Sequence, residues 1–332
     1  MNDSRSSFPG ILFGMIAGAA WGLAFLIPDM LSAFSSLEIT LGRYFMYGFY
    51  SLFLLMILKK HTIHIPWRIW ARALLYAFTG NVGYFFFLVL GIQYAGATIT
   101  TLIIGTLPIV ISVIGNLWNK EFPFTSILIP AGSILAGVFL LYSSEQEGSA
   151  SIVASNSNLL FGFLCCFIAL VLWTWYAISN ANFLKKESQV SADLFSTLIG
   201  IQTLTLVIFV LLISWVTNQQ IMSNLLAKND LIQYVIGIIV LGIIASWIAT
   251  WAWNQTSIRL TVSMAGMMIV FETLFGLLYA FVYHSTFPSM SEWISIFFIL
   301  AGVSFGIWRI NAFKYAQHLE TDNLYRSKRK QH

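Results

Sequence analysis

TVSMAGMMIVFETLFGLLYAFVY, residues Thr261 to Tyr283, carries one carboxylate, Glu272, at its middle. At helical rise the stretch matches the hydrocarbon core of a bilayer. A barrel strand would be about 10 residues long and would alternate in polarity, which this run does not. An acid at that depth costs roughly 2.5–3.5 kcal/mol on insertion scales, so such residues face a bundle interior or a watery cavity and mark ion or solute paths. Glu272 is therefore the first candidate functional residue, and the only other ionisable Asp, Glu, Lys or Arg inside an apolar run is Arg43.

The remaining sequence has the same character. Hydrophobic residues make up 58% and charged residues 9%, with a mean hydropathy of +0.80; soluble domains carry about 25% charged residues. Apolar runs of about 20 residues predict ten spans, near 10–28, 38–58, 73–93, 98–118, 124–142, 159–180, 195–217, 232–253, 261–283 and 293–312. The expected fold is an all-α membrane protein of ten transmembrane helices forming one membrane domain. The first run follows Arg5 and holds the small residues Ala17, Gly18 and Ala19, as a signal peptide would. It continues through Trp21 and Phe25 far enough to span, so a retained helix is expected. Cys165 and Cys166 are adjacent in an apolar run, which argues for packing or lipid contact and against a disulfide or a metal site.

The net charge of +4 is dispersed in loops and tails, which speaks against nucleic-acid binding. With the N-terminus in the cytoplasm, every Lys and Arg except Arg43 and Lys228 falls on the cytoplasmic side, while Glu145, Glu147 and Asp230 fall outside. The positive-inside rule thus predicts both termini to be cytoplasmic. The polar stretch Ser143 to Asn158, SSEQEGSASIVASNSN, divides the spans five and five. Two related halves with an odd number of spans enter the bilayer from opposite sides, the plan of inverted-repeat transporters. The expected units are repeats at 8–143 and 158–313 and a basic cytoplasmic tail at 314–332. Trp21 and Trp173 fall at similar places in the two opening helices, and YAGATITTLIIGTLP (94–108) lies on IRLTVSMAGMMIVFE (258–272) without a gap.

The AAWG of residues 19–22, the fourth span TTLIIGTLPIVISVIGNLWNKE (100–121) with Pro108 and closing Glu121, and the ten-span layout resemble the drug/metabolite transporter superfamily, specifically its EamA-type members. WTWYAISNA (173–181), ASWIATWAWNQ (245–255) and IVFETL (269–274) resemble a bacterial branch of it. The resemblance covers nearly the whole chain and implies a multi-pass protein of the bacterial inner membrane. The second half departs from the family pattern: Glu272 and the Ser285–Thr286 region stand where a proline and a closing acid usually recur.

Polar and aromatic residues recur at helical spacings of three, four and seven, which brings side chains of different helices to one cavity. Arg43, Tyr47 and Tyr50 align in the second span, Asn81 and Tyr84 in the third, and Trp173, Tyr176 and Asn180 in the sixth. Trp247, Trp251 and Asn254 align in the eighth, and Glu272, Phe275 and Tyr279 in the ninth. The candidate cavity residues are Trp21, Arg43, Tyr47, Asn81, Tyr84, Trp173, Tyr176, Trp247, Trp251 and Glu272. Tyr50, Asn180 and Asn254 fit an interfacial belt equally well. Arg43 either snorkels outward or faces inward, to pair with Glu272 or hold an anionic group. Pro108 removes a backbone donor and is the candidate helix kink. Gly14 and Gly18 form a GxxxG that permits close helix contact.

The leading expectation is a secondary transporter, an exporter of a small amphipathic metabolite, an amino acid or related zwitterion or an aromatic compound, working by alternating access with Glu272 as proton carrier. No P-loop is present, so ATP-driven pumping by this chain alone is not expected. Neither H-E-x-x-H nor G-x-S-x-G occurs, and no second acid sits at membrane depth, so an intramembrane enzyme is not expected either. The alternative is a receptor or assembly subunit that transports nothing. Expected partners are a small-molecule substrate, the lipid bilayer and a proton, with no cofactor, metal or nucleic acid; the sequence leaves monomer and homodimer open.

Overall fold

The computed structural model describes residues 7–57, 65–146, 159–187, 189–217, 225 and 230–329. The dividing segment 147–158 and Arg5, Lys59, Lys60, Lys228 and Lys330 lie outside them. Among the described residues there are helices and no strands: α1 (Phe8–Met30), α2 (Ser36–Ile57), α3 (Trp67–Ala95), α4 (Ala97–Ile104), α5 (Leu107–Asn119), α6 (Thr125–Gln146), α7 (Leu159–Lys186), α8 (Ala192–Val216), α9 (Leu231–Arg259), α10 (Val262–His284) and α11 (Met290–Arg329). Seven helices, α1, α3, α7, α8, α9, α10 and α11 over Met290–Phe313, are long and apolar enough to cross a membrane. Leu107–Asn119 and Thr125–Leu140 are shorter apolar helices. Residues 314–329 continue α11 as helix.

Three helices carry interruptions, and a fourth break separates α4 from α5. A π-turn occupies Phe78–Val82 in α3 and another occupies Ile243–Ile248 in α9. Such turns insert one residue and shift every side chain that follows around the helix. The chain breaks between α4 and α5 at Gly105 and Thr106, and Pro108 stands in the first turn of α5, where its missing N–H costs nothing. A single non-helical residue, Ile269, divides α10. Both α5 and α10 end on a left-handed residue that is not glycine, Lys120 (φ 50°) and Ser285 (φ 53°).

Helices from the earlier part of the chain pack on helices from the later part. Extensive packing joins α6 to α11, α3 to α7, α1 to both α9 and α10, α2 to α8 and the start of α10 to α5. Small residues make this possible, because without a hydrophobic drive between helices in lipid, close backbone approach supplies the attraction. Gly14 and Gly18 of α1 face α10, where an added Cβ would come within 2.7 Å of Met268 Cγ and 2.9 Å of the Phe271 backbone. Cys166 is buried against Gly91 and the Thr100 hydroxyl, a packing role.

Gly48 is a tight point between α2 and α8: a Cβ there would collide with Leu204 Cβ and stand 2.9 Å from the Gly200 carbonyl. Gly48→Val is expected to lower stability by about 1–3 kcal/mol, the usual cost of overpacking, read as a lower melting temperature of the detergent-solubilised protein.

One end of the bundle is basic. Arg68 at the start of α3 lies 3.5 Å from Glu187 just after α7, and Asn119 and Asn182 at the ends of α5 and α7 exchange hydrogen bonds of 3.2 and 3.3 Å. At the opposite end His284 meets Asp29 at 2.9 Å, and the Tyr234 hydroxyl donates to the Glu38 carbonyl at 2.7 Å.

Candidate functional site

Glu272 follows the interruption of α10, with its backbone N–H bonded to the Ile269 carbonyl at 3.0 Å. Its side chain is half-buried and has no hydrogen-bond partner among the described residues. Its electrostatic neighbours come from two other helices, Arg43 of α2 and Tyr84 of α3, and Tyr84 in turn interacts with Tyr44 and Arg43. Three sequence candidates thus share one field.

Arg43 faces inward. Its Nε donates to Ser246 Oγ and its Nη2 to the Ala245 carbonyl, both at 2.8 Å, and its guanidinium carbon lies 5.5 Å from the Tyr44 ring centroid. The acceptors belong to the π-turn of α9. Arg43 and Glu272 form no direct ion pair within 4.0 Å, so the guanidinium reaches the acid through space only. Arg43 also lines a cavity of about 170 Å³ between α1, α2, α3 and α9, with Thr40, Pro28 and Phe85.

A second group is aromatic. Trp21 of α1 and Trp173 of α7 stand edge to face with centroids 6.0 Å apart, and Tyr176 meets Trp173 at 5.8 Å. Trp253 of α9 completes the cluster at 5.8 Å from Trp21 and 5.9 Å from Trp173. Sequence reasoning missed Trp253. Its indole N–H is buried without a partner, a donor with nothing to give to.

The other candidates lie elsewhere. Tyr47 is fully buried and donates to the Ser196 carbonyl at 2.9 Å. Asn81 donates to Thr203 Oγ1 at 3.0 Å and Trp247 to Thr197 Oγ1 at 3.2 Å, both toward α8. Trp251 packs against Phe13 near the basic end, where Arg259 covers the other ring. Asn180 and Asn254 are not belt residues: both are fully buried, Asn180 donates to Asn254 Oδ1, and Asn254 donates to Ser196 Oγ, each at 2.8 Å.

Glu121 also escaped notice as a site residue. Its carboxylate accepts from Val262 N at 2.8 Å, Ser263 N at 3.0 Å and Ser263 Oγ at 2.6 Å, and so caps the start of α10. Those are the donors a helix leaves unsatisfied at its N-terminus, and a negative charge is favoured there. The signal in sequence was an acid closing the fourth span.

Residues 8–143 match the EamA-like transporter family. The chain is homologous to the inner membrane protein YtfF of Escherichia coli (strain K12), 28% identical over 306 residues that cover 89% of this chain and 93% of that protein. A crystal structure of another protein superimposes with a TM-score of 0.74 over 93% of this chain and 99% of that one, at 18% identity, which marks a shared fold.

Proposed function

We propose, from the premise that residues 8–143 are an EamA-type transporter domain in a membrane protein, that this chain is a secondary transporter of the bacterial inner membrane. It exports a small amphipathic metabolite, an amino acid or related zwitterion or an aromatic compound, by alternating access between two inverted five-helix repeats, with Glu272 carrying the coupled proton.

The observation that carries the reading is the pairing of interruptions. The ungapped shift that lays 94–108 on 258–272 brings the break at Gly105 onto Ile269 and the π-turn of α3 onto that of α9. It also brings Lys120 and Thr125 within a residue of Ser285 and Met290. Helices broken at corresponding places in two halves are the usual pointer to a midplane binding site in secondary transporters. Here Glu272 directly follows one break, and Arg43 bonds to a π-turn. The aromatic trio Trp21, Trp173 and Trp253 supplies an apolar, cation-tolerant wall, and the guanidinium suits the carboxylate end of a zwitterion.

Uptake of a metabolite panel by liposomes holding the purified protein, with and without a pH gradient, tests the reading. Accumulation of an amino acid or aromatic solute driven by the gradient is expected; binding without flux for any solute would favour a receptor. Arg43→Gln is expected to raise KM for a carboxylate-bearing substrate about tenfold, the worth of a charge-assisted hydrogen bond, with less effect on the maximal rate.

A further inference from the structure

A cavity of about 490 Å³ lies between α3, α5 and α7, away from the Trp21–Glu272 region. It faces the other side of α7. Residues recurring at three and four along that helix, from Phe167 through Thr174 and Ser179 to Lys186, form one stripe along its wall. Ile114 and Trp118 of α5 and Val171 of α7 line it and are exposed on the protein surface, so the cavity opens sideways to lipid. Its volume lies within the roughly 300–1,000 Å³ of small-molecule sites.

Its chemistry is graded. At the basic end Arg72 and Lys186 supply two cations, and Arg72 lies beside the Tyr76 hydroxyl, which is 2.9 Å from Ser179 Oγ. The middle is aromatic, with Trp175 5.8 Å from Tyr76. Deeper in, Thr174 is 4% exposed and its hydroxyl has no partner. A helical threonine ordinarily bonds back to the carbonyl one turn earlier, as Thr79, Thr100, Thr197 and Thr203 do here. A buried donor left open is costly unless something else accepts from it.

We propose that this cavity is a binding site for a small amphipathic organic anion taken from the bilayer. The acidic group sits on Arg72 and Lys186, the apolar body lies against Trp175 and Ile114, and a carbonyl or ether oxygen accepts from Thr174. From Thr174 the helix rises about 7–8 Å to Ser179, where the Tyr76 hydroxyl and Arg72 gather, and about 10 Å more to Lys186. A cation or a neutral hydrocarbon leaves either the two positive charges or the threonine without a counterpart.

4-Benzoylbenzoate serves as the probe, since it has a carboxylate, an aromatic body and a ketone, and it photo-cross-links to neighbouring C–H groups. Irradiated with the purified full-length protein in phosphatidylcholine nanodiscs, it is expected to label peptides containing Ile114–Trp118 or Phe167–Trp175. Labelling should fall about tenfold in the Arg72→Gln/Lys186→Gln double variant and with neutral benzophenone, and about fivefold in Thr174→Val. Val171→Trp, with the cations intact, should block it. Equal labelling by benzophenone, or adducts spread over the whole lipid-facing surface, would overturn the proposal. So would phosphatidylglycerol displacing the probe while free benzoate does not, which would make the cavity a phospholipid seat. Adducts confined to peptides bearing Trp21 or Glu272 would place the anion in the transport path instead, so failure here is separable from failure of the transport reading.

Discussion

Glu272→Gln is expected to cut gradient-driven flux at least about a hundredfold, because the amide cannot take up or release a proton at the depth where the helix is interrupted. Substrate binding should survive within about threefold, since the amide keeps the shape and the hydrogen-bonding reach of the acid. Counterflow, in which labelled substrate exchanges against unlabelled substrate without a pH gradient, should also persist. The three readouts separate two roles for one side chain. A proton carrier loses only the driven flux, whereas a ligand for a substrate amine loses binding and counterflow as well. Normal driven flux in the Gln variant would sink the coupling role and leave Arg43, Tyr84 and the tryptophans as a binding wall without a proton path.

The second large effect is expected at Glu121. Removing its carboxylate in Glu121→Ala strips the start of α10 of three hydrogen bonds and leaves part-buried backbone donors open. Losing a cap costs about 1 kcal/mol, and an unmet buried donor about 1–3 more. A fall of roughly 2–4 kcal/mol in stability is expected on that basis, measured by thermal unfolding in detergent, with Glu121→Gln recovering part of it. The carboxylate joins the end of α5 to the start of α10 at the basic end. Asn182→Cys, placed where Asn119 and Asn182 meet, should accordingly react faster with a water-soluble maleimide when Glu121 is Ala than when it is Glu. Unchanged reactivity would mean that the cap holds α10 together without holding that end shut.

The shift that lays 94–108 on 258–272 places no acid opposite Glu121; Ser285 and Thr286 stand there. The opposite end relies instead on the His284–Asp29 contact and the Tyr234–Glu38 bond. The two ends of the bundle are thus closed by unlike chemistry.

The membrane-helix character was legible from the chain because it rests on run length and charge, which act locally. The cost of an acid in lipid singled out Glu272 in the chain. The faces of individual helices were less legible, and the π-turns give the reason. Asn81 and Tyr84 share a face on an ideal helix, as do Trp247 and Trp251. In the fold Asn81 and Trp247, both inside π-turns, meet α8, whereas Tyr84 turns toward Glu272 and Trp251 toward Phe13. An extra residue rotates everything after it by about a third of a turn, which is also how Trp253 reaches the aromatic cluster. Nothing in FTGNV or IIASWI marks a π-turn by composition; the turn depends on what neighbouring helices offer, as Arg43 does at Ala245.

Glu121 was missed for another reason. A carboxylate capping a helix more than a hundred residues away is a tertiary fact, and the sequence shows only an acid after an apolar run.

The interlocked packing bears on how the molecule is made. Helix α6 finds its main partner in later-made α11, α1 packs chiefly on α9 and α10, and α2 and α3 pack chiefly on α8 and α7. The early helices must therefore wait in lipid with their glycine faces unfilled, and assembly cannot proceed half by half. A nascent chain stalled before α7 should be an orphan prone to degradation, and supplying the missing segment as a separate polypeptide should rescue it.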